Sequence, residues 1–196
     1  MTPEQQRAAK ALLRSSLSGV LQPTRELARL VTAAGHELAL VGGSVRDAFL
    51  GRSHGDLDLT TDARPEQVIE ITKEWADTIW PVGVRFGTVG LRKGPINYEI
   101  TTYRSEHYDP DSRKPDVVYE TSLGADLSRR DFTVNAMAAR FPGLDLVDPC
   151  GGLADLRDKI LRTPGRAVDS FNDDPLRILR AARFVAQLGL TPIKEV

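Results

Sequence analysis

Residues 40–61 read LVGGSVRDAFLGRSHGDLDLTT, and this stretch decides the fold. A short apolar strand over Leu38–Val41 runs into Gly42-Gly43. A helix is expected over Ser44–Leu50, stopped by Gly51. A second strand follows over Asp56–Thr60. Side chains alternate faces along a strand, so Asp56 and Asp58 point one way while Leu57 and Leu59 point into a core. Two carboxylates on one face repel each other, and such a pair is stable mainly where water or a cation neutralises it. A Gly-Gly turn leading into a helix N-terminus exposes backbone N–H groups, a cradle for phosphate to which Arg46 adds a charge-assisted contact. Ser44 with Asp47 three residues on also fits a capping box, a second reading of the same residues.

The 196 residues are 41% hydrophobic, enough chain for one domain with a real core and part of a second. The formal net charge of −1 argues neither for nor against a nucleic-acid partner. One cysteine, Cys150, rules out an internal disulfide and suits a reducing cytoplasm. No apolar run approaches the ~20 residues that span a bilayer, and the opening MTPEQQRAAKALLRSSLSG lacks the continuous apolar segment of a secretory signal.

Residues 4–18 and 22–34 read as two packing helices, with Leu12, Leu13 and Leu17 in the first and Leu27, Leu30 and Val31 in the second at helical spacing. Residues 65–76 read as a helix with Pro65 in its first turn. Residues 87–92 and 96–103 are two β-rich runs joined through Lys93-Gly94-Pro95, a hairpin. In the second run Asn97, Glu99 and Thr101 share one face, which makes Glu99 either a third carboxylate or an ordinary solvent-facing strand residue. Residues 104–120 are polar and broken by Pro110 and Pro115, long enough for a functional loop. A helix is expected to bury Phe132, Val134, Met137 and Ala138, with Arg129, Arg130 and Asp131 at its start. Two arginines there oppose the helix dipole, which points to an anionic ligand. Residues 144–163 read as strand, Gly-Gly turn, short helix and strand. The last helix runs from about Asp174 to Leu188, with Asp173 or Asp174 as cap. Leu176, Ile178, Leu179, Ala182 and Val185 are its expected buried stripe, and Arg177, Arg180 and Arg183 recur every three residues along a basic face. One amphipathic helix cannot bury its own apolar face, so more helical protein is expected to follow.

An Asp-x-Asp pair, a neighbouring third carboxylate and a phosphate cradle suit metal-assisted phosphoryl or nucleotidyl transfer. Hard oxygen ligands favour Mg2+. His36, His54 and His107 are scattered, and no Ser-His or Cys-His pair is needed for this chemistry.

Four blocks carry a more specific message: LVGGSVRDAFLGRSHGDLDLTT, RRDFTVNAMA, DPCGGLADLRDKILRTP and DDPLRILRAARF. In this order, over residues 38–188, they resemble the signature blocks of the class II tRNA nucleotidyltransferases, the CCA-adding enzyme family that also contains the bacterial poly(A) polymerases. The resemblance implies an α/β (α+β) fold: a nucleotidyltransferase head over 1–163, with a polymerase β-like mixed sheet flanked by helices, then the start of an all-helical neck over 164–196. Body and tail would lie outside this sequence. The implied activity is cytoplasmic addition of C, C and A to the 3′ end of tRNA from CTP and ATP, releasing pyrophosphate, with Mg2+ and without a membrane. A poly(A) polymerase, or a specialist adding only CC or only A, is the nearest alternative. A catalytically inactive nucleotide-binding module is the alternative of another class.

The resemblance also implies roles. Asp56, Asp58 and Glu99 would be catalytic and hold the metal. Gly42, Gly43 and Arg46 would meet the incoming triphosphate, and Arg129, Arg130, Asp131 and Asn135 would hold ribose and phosphates. Asp155 lies in the block linking head to neck, and 104–120 corresponds to a flexible loop used in switching from C to A. Asp174 and Arg177 would read the base, with Arg180 and Arg183 completing the nucleotide-binding set. Cytosine and adenine both present an amino donor beside a ring-nitrogen acceptor, which a carboxylate and a guanidinium complement. Uracil and guanine reverse that pattern and would leave buried charges unpaired. An ordinary cap with an intrahelical ion pair is the other reading of Asp174 and Arg177.

Overall fold

The computed structural model describes residues 2–52, 55–107, 116–119 and 122–196. Its frame is a seven-stranded mixed sheet in the order β3-β4-β5-β2-β1-β8-β9. These strands are β1 (Leu38–Val41), β2 (Leu57–Thr61), β3 (Thr78–Trp80), β4 (Thr88–Lys93), β5 (Ile96–Thr102), β8 (Ala138–Arg140) and β9 (Asp145–Val147). A separate antiparallel pair, β6 (Arg104–His107) with β7 (Asp116–Tyr119), occupies part of the segment expected to be a loop; residues 108–115 and 120 of that segment, and His54, lie outside the described residues.

The inner strand β1 is buried along its whole length because both sheet faces are covered. Leu38 and Leu40 join the larger core, where α1 (Pro3–Ser16), α2 (Leu21–Ala33) and α4 (Pro65–Thr72) pack through Leu13, Leu17, Leu27, Val31 and Val68. Ala39 and Val41 face the other way, onto Leu123 and Leu127 of α5 (Leu123–Ser128). Thr2 caps α1 in a reciprocal box with Gln5.

The predicted hairpin is present, with Gly94 at φ +56° between β4 and β5. Strand β5 then pairs parallel to β2, with Asp58 opposite Glu99. A parallel pair needs a long crossover, which α4 and the β3–β4 strands supply. Leu57, Leu59, Tyr98 and Ile100 face the core, so Asp58 and Glu99 share the other face.

Three local expectations are corrected. Residues 132–138 are not helical: a 3-10 turn over Thr133–Asn135 leads into β8, and Phe132, Val134 and Met137 are buried there. Arg129 and Arg130 therefore follow the C-terminal end of α5, where the dipole favours cations. In α3 (Gly43–Phe49) the cap position is Gly42, not Ser44; the Ser44 hydroxyl instead accepts the backbone N–H of Asp58 at 3.0 Å. In α8 (Leu176–Leu188) the expected stripe is largely exposed, Leu176 64%, Ile178 55% and Leu179 68%, while Ala181 and Phe184 are buried. The helix is rolled to seat Phe184 edge-on against Phe132, ring centroids 5.6 Å apart.

Shorter elements complete the chain. Asp148 accepts the N–H groups of Gly152 and Leu153 and so caps α6 (Gly152–Arg157). A helix not expected from sequence, α7 (Ala167–Asp173), precedes α8. A small parallel pair joins β10 (Ile160–Leu161) to β11 (Thr191–Pro192).

Candidate active site

The carboxylate face of the sheet forms the floor of an open cleft of about 620 Å³ whose wall is α8. Asp58 lines it. Burial, then Glu99, push its carboxyl from the ordinary 3.8 up to about 6; Asp56 adds to this, while Arg130 and Arg46 oppose it. Asp58 is thus poised beside two other acids, a donor set of hard oxygens that fits a divalent cation.

Asp56 precedes β2 and is exposed, and its Oδ1 accepts from the Asn97 amide at 3.0 Å. Among the described residues no group of three or more acidic, histidine or cysteine side chains is close enough to hold a metal ion as it stands. The three acids are neighbours, with Asp58 and Glu99 in the main cleft and Asp56 and Glu99 in an adjoining cavity.

On the β1 side, Gly42 turns the chain into α3 with φ +62°. A Cβ there would lie 2.9 Å from Arg130 Nη1, so the glycine lets the guanidinium close over the backbone. Arg130 is held by Asp126, at 3.0 Å, and the same buried carboxylate binds Arg129 at 2.8 Å. Burial raises the Asp126 pKa, but Arg130 and Arg129 overcome that and hold it below the ordinary value. Asp126 was not singled out from sequence. Its spacing of three and four from the two arginines is the signal that could have found it.

Arg46 grips Asp47 through two bonds of 2.9 Å and donates to Asn135 Oδ1 at 2.6 Å. Asn135 donates to Asp131 Oδ1 at 3.0 Å, and Arg180 donates to Asp131 Oδ2 at 2.7 Å. One chain of hydrogen bonds thus runs from α3 through the 3-10 turn to α8. Arg177 donates to the Ser170 hydroxyl and to the Arg129 carbonyl at 2.7 and 3.0 Å. Asp174 accepts the N–H of Leu176 at 3.0 Å and lines the same cleft as Arg177. The intrahelical ion pair is not what positions Arg177; α7 and the end of α5 do so.

Arg180 and Arg183 are therefore cleft residues rather than a detached basic face, and both stand over the Phe184 ring. Asp155 lies outside the cleft: buried, it accepts from Thr133 at 2.7 Å and pairs with Arg162 at 3.2 Å, tying α6 to the 3-10 turn. Arg104 and Thr101 also line the cleft. His36 is remote, 3.4 Å from Asp62.

Residues 38–162 match the family model described as the poly A polymerase head domain. The chain belongs to this family. Within the poly A polymerase head family it is 46% identical over 158 residues to the CCA-adding enzyme of Anoxybacillus flavithermus, an alignment covering 80% of this chain and 38% of that one. The Bacillus subtilis CCA-adding enzyme is 43% identical over 164 residues, 83% of this chain and 40% of that one. Among solved structures, the Bacillus stearothermophilus CCA-adding enzyme in complex with CTP superposes with a TM-score of 0.77 at 37% identity, covering 89% of this chain and 41% of that one. The Thermotoga maritima CCA-adding enzyme complexed with tRNA gives 0.70 at 30% identity, over 87% and 38%. This poly A polymerase head sequence thus spans about two-fifths of the length of the relatives it matches. The family is one of metal-dependent nucleotidyltransferases. Among the described residues no helix is long and apolar enough to cross a membrane.

Proposed function

We propose that the chain is the catalytic head, residues 1–163, and the first neck segment, 164–196, of a cytoplasmic CCA-adding enzyme. It would transfer CMP, CMP and then AMP from CTP and ATP to the 3′ end of tRNA. The observation that carries this reading is the parallel register that sets Asp58 beside Glu99 beneath a wall of arginines, with Asp174 and Arg177 in the same cleft. The solved relatives in complex with CTP and with tRNA support it.

The reaction is an in-line displacement. The acceptor 3′-hydroxyl oxygen bonds to the α-phosphorus, the bond to the bridging oxygen breaks, pyrophosphate leaves, and the hydroxyl proton passes to water. Arg130, Arg129 and Arg46 hold the phosphates, and the bare backbone at Gly42-Gly43 lets them approach. Asp58, Glu99 and Asp56 would bind Mg2+, which supplies charge neutralisation and a more acidic attacking hydroxyl. Asp174 accepts from the amino group of cytosine or adenine. Arg177 uses N–H groups left over from its bonds to Ser170 and Arg129 to reach the ring nitrogen. Fixing that base relative to the floor is positional catalysis.

The test is incorporation. The protein is mixed with Mg2+, a tRNA lacking its terminal CCA and each nucleotide singly and in pairs, with Asp58→Ala alongside. Addition of C, C and A that stops there and is lost in the variant is the expected result. Open-ended A addition would make it a poly(A) polymerase instead, and no incorporation would overturn the reading.

A further inference from the structure

A second cavity, of about 360 Å³, opens on the far side of Glu99 from the arginines. It is lined by Asp56, Asn97, Thr88 and Gly90, and its conspicuous member is Trp80, 39% exposed. The sheet register explains its position. Trp80 on β3 lies opposite Gly90 on β4, and Gly90 lies opposite Glu99 on β5. The row Trp80, Gly90, Glu99, Asp58 therefore crosses four strands on one face. Strands stand roughly 4.8 Å apart, so Trp80 starts roughly 10 Å from Glu99. Gly90 closes that gap. A Cβ at Gly90 would lie 3.2 Å from Trp80 Cε3, so the indole rests over the space a side chain would fill.

We propose that this cavity receives the 3′-terminal nucleotide of the acceptor RNA, its base stacked on Trp80. The inference rests on the nucleotidyl-transfer reading of the cleft and names a binding residue for its second substrate. Three features support it. In-line attack requires the hydroxyl to arrive opposite the departing pyrophosphate; the arginines lie on one side of the Asp58–Glu99 pair and Trp80 on the other. The cavity lining holds two carboxylates and no arginine or lysine among the described residues, so it favours a neutral base and ribose over phosphate. The acceptor's last base also differs along stepwise addition: it is the tRNA's own terminal base before the first step and cytosine before the second and third. Stacking tolerates that change because every base has a π-face, whereas hydrogen-bond readout would not.

The test uses the full chain with tRNA acceptors whose terminal base is 2-aminopurine, a fluorophore quenched by stacking, and compares wild type with Trp80→Ala and Trp80→Phe. The alanine variant should raise the acceptor KM about tenfold, the size of losing one base stack. It should leave the CTP KM in place and abolish the quench at the terminal position but not at an internal one. Phenylalanine should restore most of both, which a general folding defect would not allow. If wild type incorporates nucleotide and Trp80→Ala keeps the acceptor KM and the terminal quench, the Trp80 proposal is overturned and the function stands. If wild type incorporates nothing, the function reading falls and this inference falls with it.

Discussion

Asp58 illustrates what one side chain reports about its surroundings. Its carboxyl is raised by burial and by Glu99 from 3.8 to about 6. The folded chain thus holds a proton that the unfolded chain has already lost between those values, so this group's contribution to stability falls as pH rises from about 4 to about 6. Replacing Asp58 with Asn should raise the melting temperature above pH 6 while cutting nucleotide incorporation at least about a thousandfold. Thermal melts at two pH values beside a single-turnover assay check both. A bound cation needs the ionised form, so calorimetric Mg2+ affinity should climb with pH up to about 6 and then level. Gly42→Ala meets both a left-handed φ and the Arg130 guanidinium. It should cost about 1–2 kcal/mol of stability in a urea titration and weaken CTP binding. At this scale the sequence was informative about charge and poor about partners. Asp58 and Glu99 were legible because chemistry selects residue types, whereas Arg129 and Arg130 were singled out on a helix start that the structure replaces by the end of α5. Asp126 holds both arginines through its carboxylate, and its spacing of three and four from them is a local signal; the Ser44 bond to Asp58 was not legible, because it depends on which backbone N–H the fold leaves open.

Among the elements, α8 departs furthest from its pattern. Its helical period was plain in the sequence, and its facing was not. Leucines at helical spacing suggest a buried stripe, but a helix turns toward whichever contacts are available. Here Phe184 on Phe132, Arg180 on Asp131 and Arg177 on the Arg129 carbonyl set the roll. Phe184→Ala should therefore cost about 3 kcal/mol and raise the CTP KM, since Arg177 stands on α8 and Asp174 accepts the N–H of Leu176 at its start. Leu179→Ala should change stability by less than about 0.5 kcal/mol. Denaturation of the two variants side by side distinguishes this facing from the one read off the sequence. The segment after Arg130 was misread for a related reason. Buried positions at Phe132, Val134 and Met137 suit a helix or a strand over so short a run, and only pairing of β8 with β1 decides it.

Across the whole molecule, charge is nearly balanced at −1 but unevenly placed. Among the described residues seven arginines and four carboxylates line the main cleft, so a near-neutral protein carries a cationic groove, which focuses field toward polyanions. Raising salt from about 0.05 M to about 0.5 M should weaken CTP binding about tenfold through screening, and equilibrium binding at each salt tests it. The hairpin, most flanking helices and the strands β1, β2, β4, β5 and β9 were foreseeable, since apolar alternation and turn residues encode them, whereas the segment holding β8 was read as helix. Strand order was not foreseeable, because pairing joins residues that are distant in the chain.

The register between β2 and β5 also governs how this protein can fail. Asp58 and Glu99 are brought together by no bond between themselves; two like charges would sooner part. What holds them in step is the opposite face, where Leu57, Leu59, Tyr98 and Ile100 are buried. A slip of one residue would push Glu99 into oil and lift Tyr98 and Ile100 into water. The core therefore acts as a ruler for the chemistry: a chain that has packed has already measured out its catalytic spacing, and one that has mis-measured cannot pack.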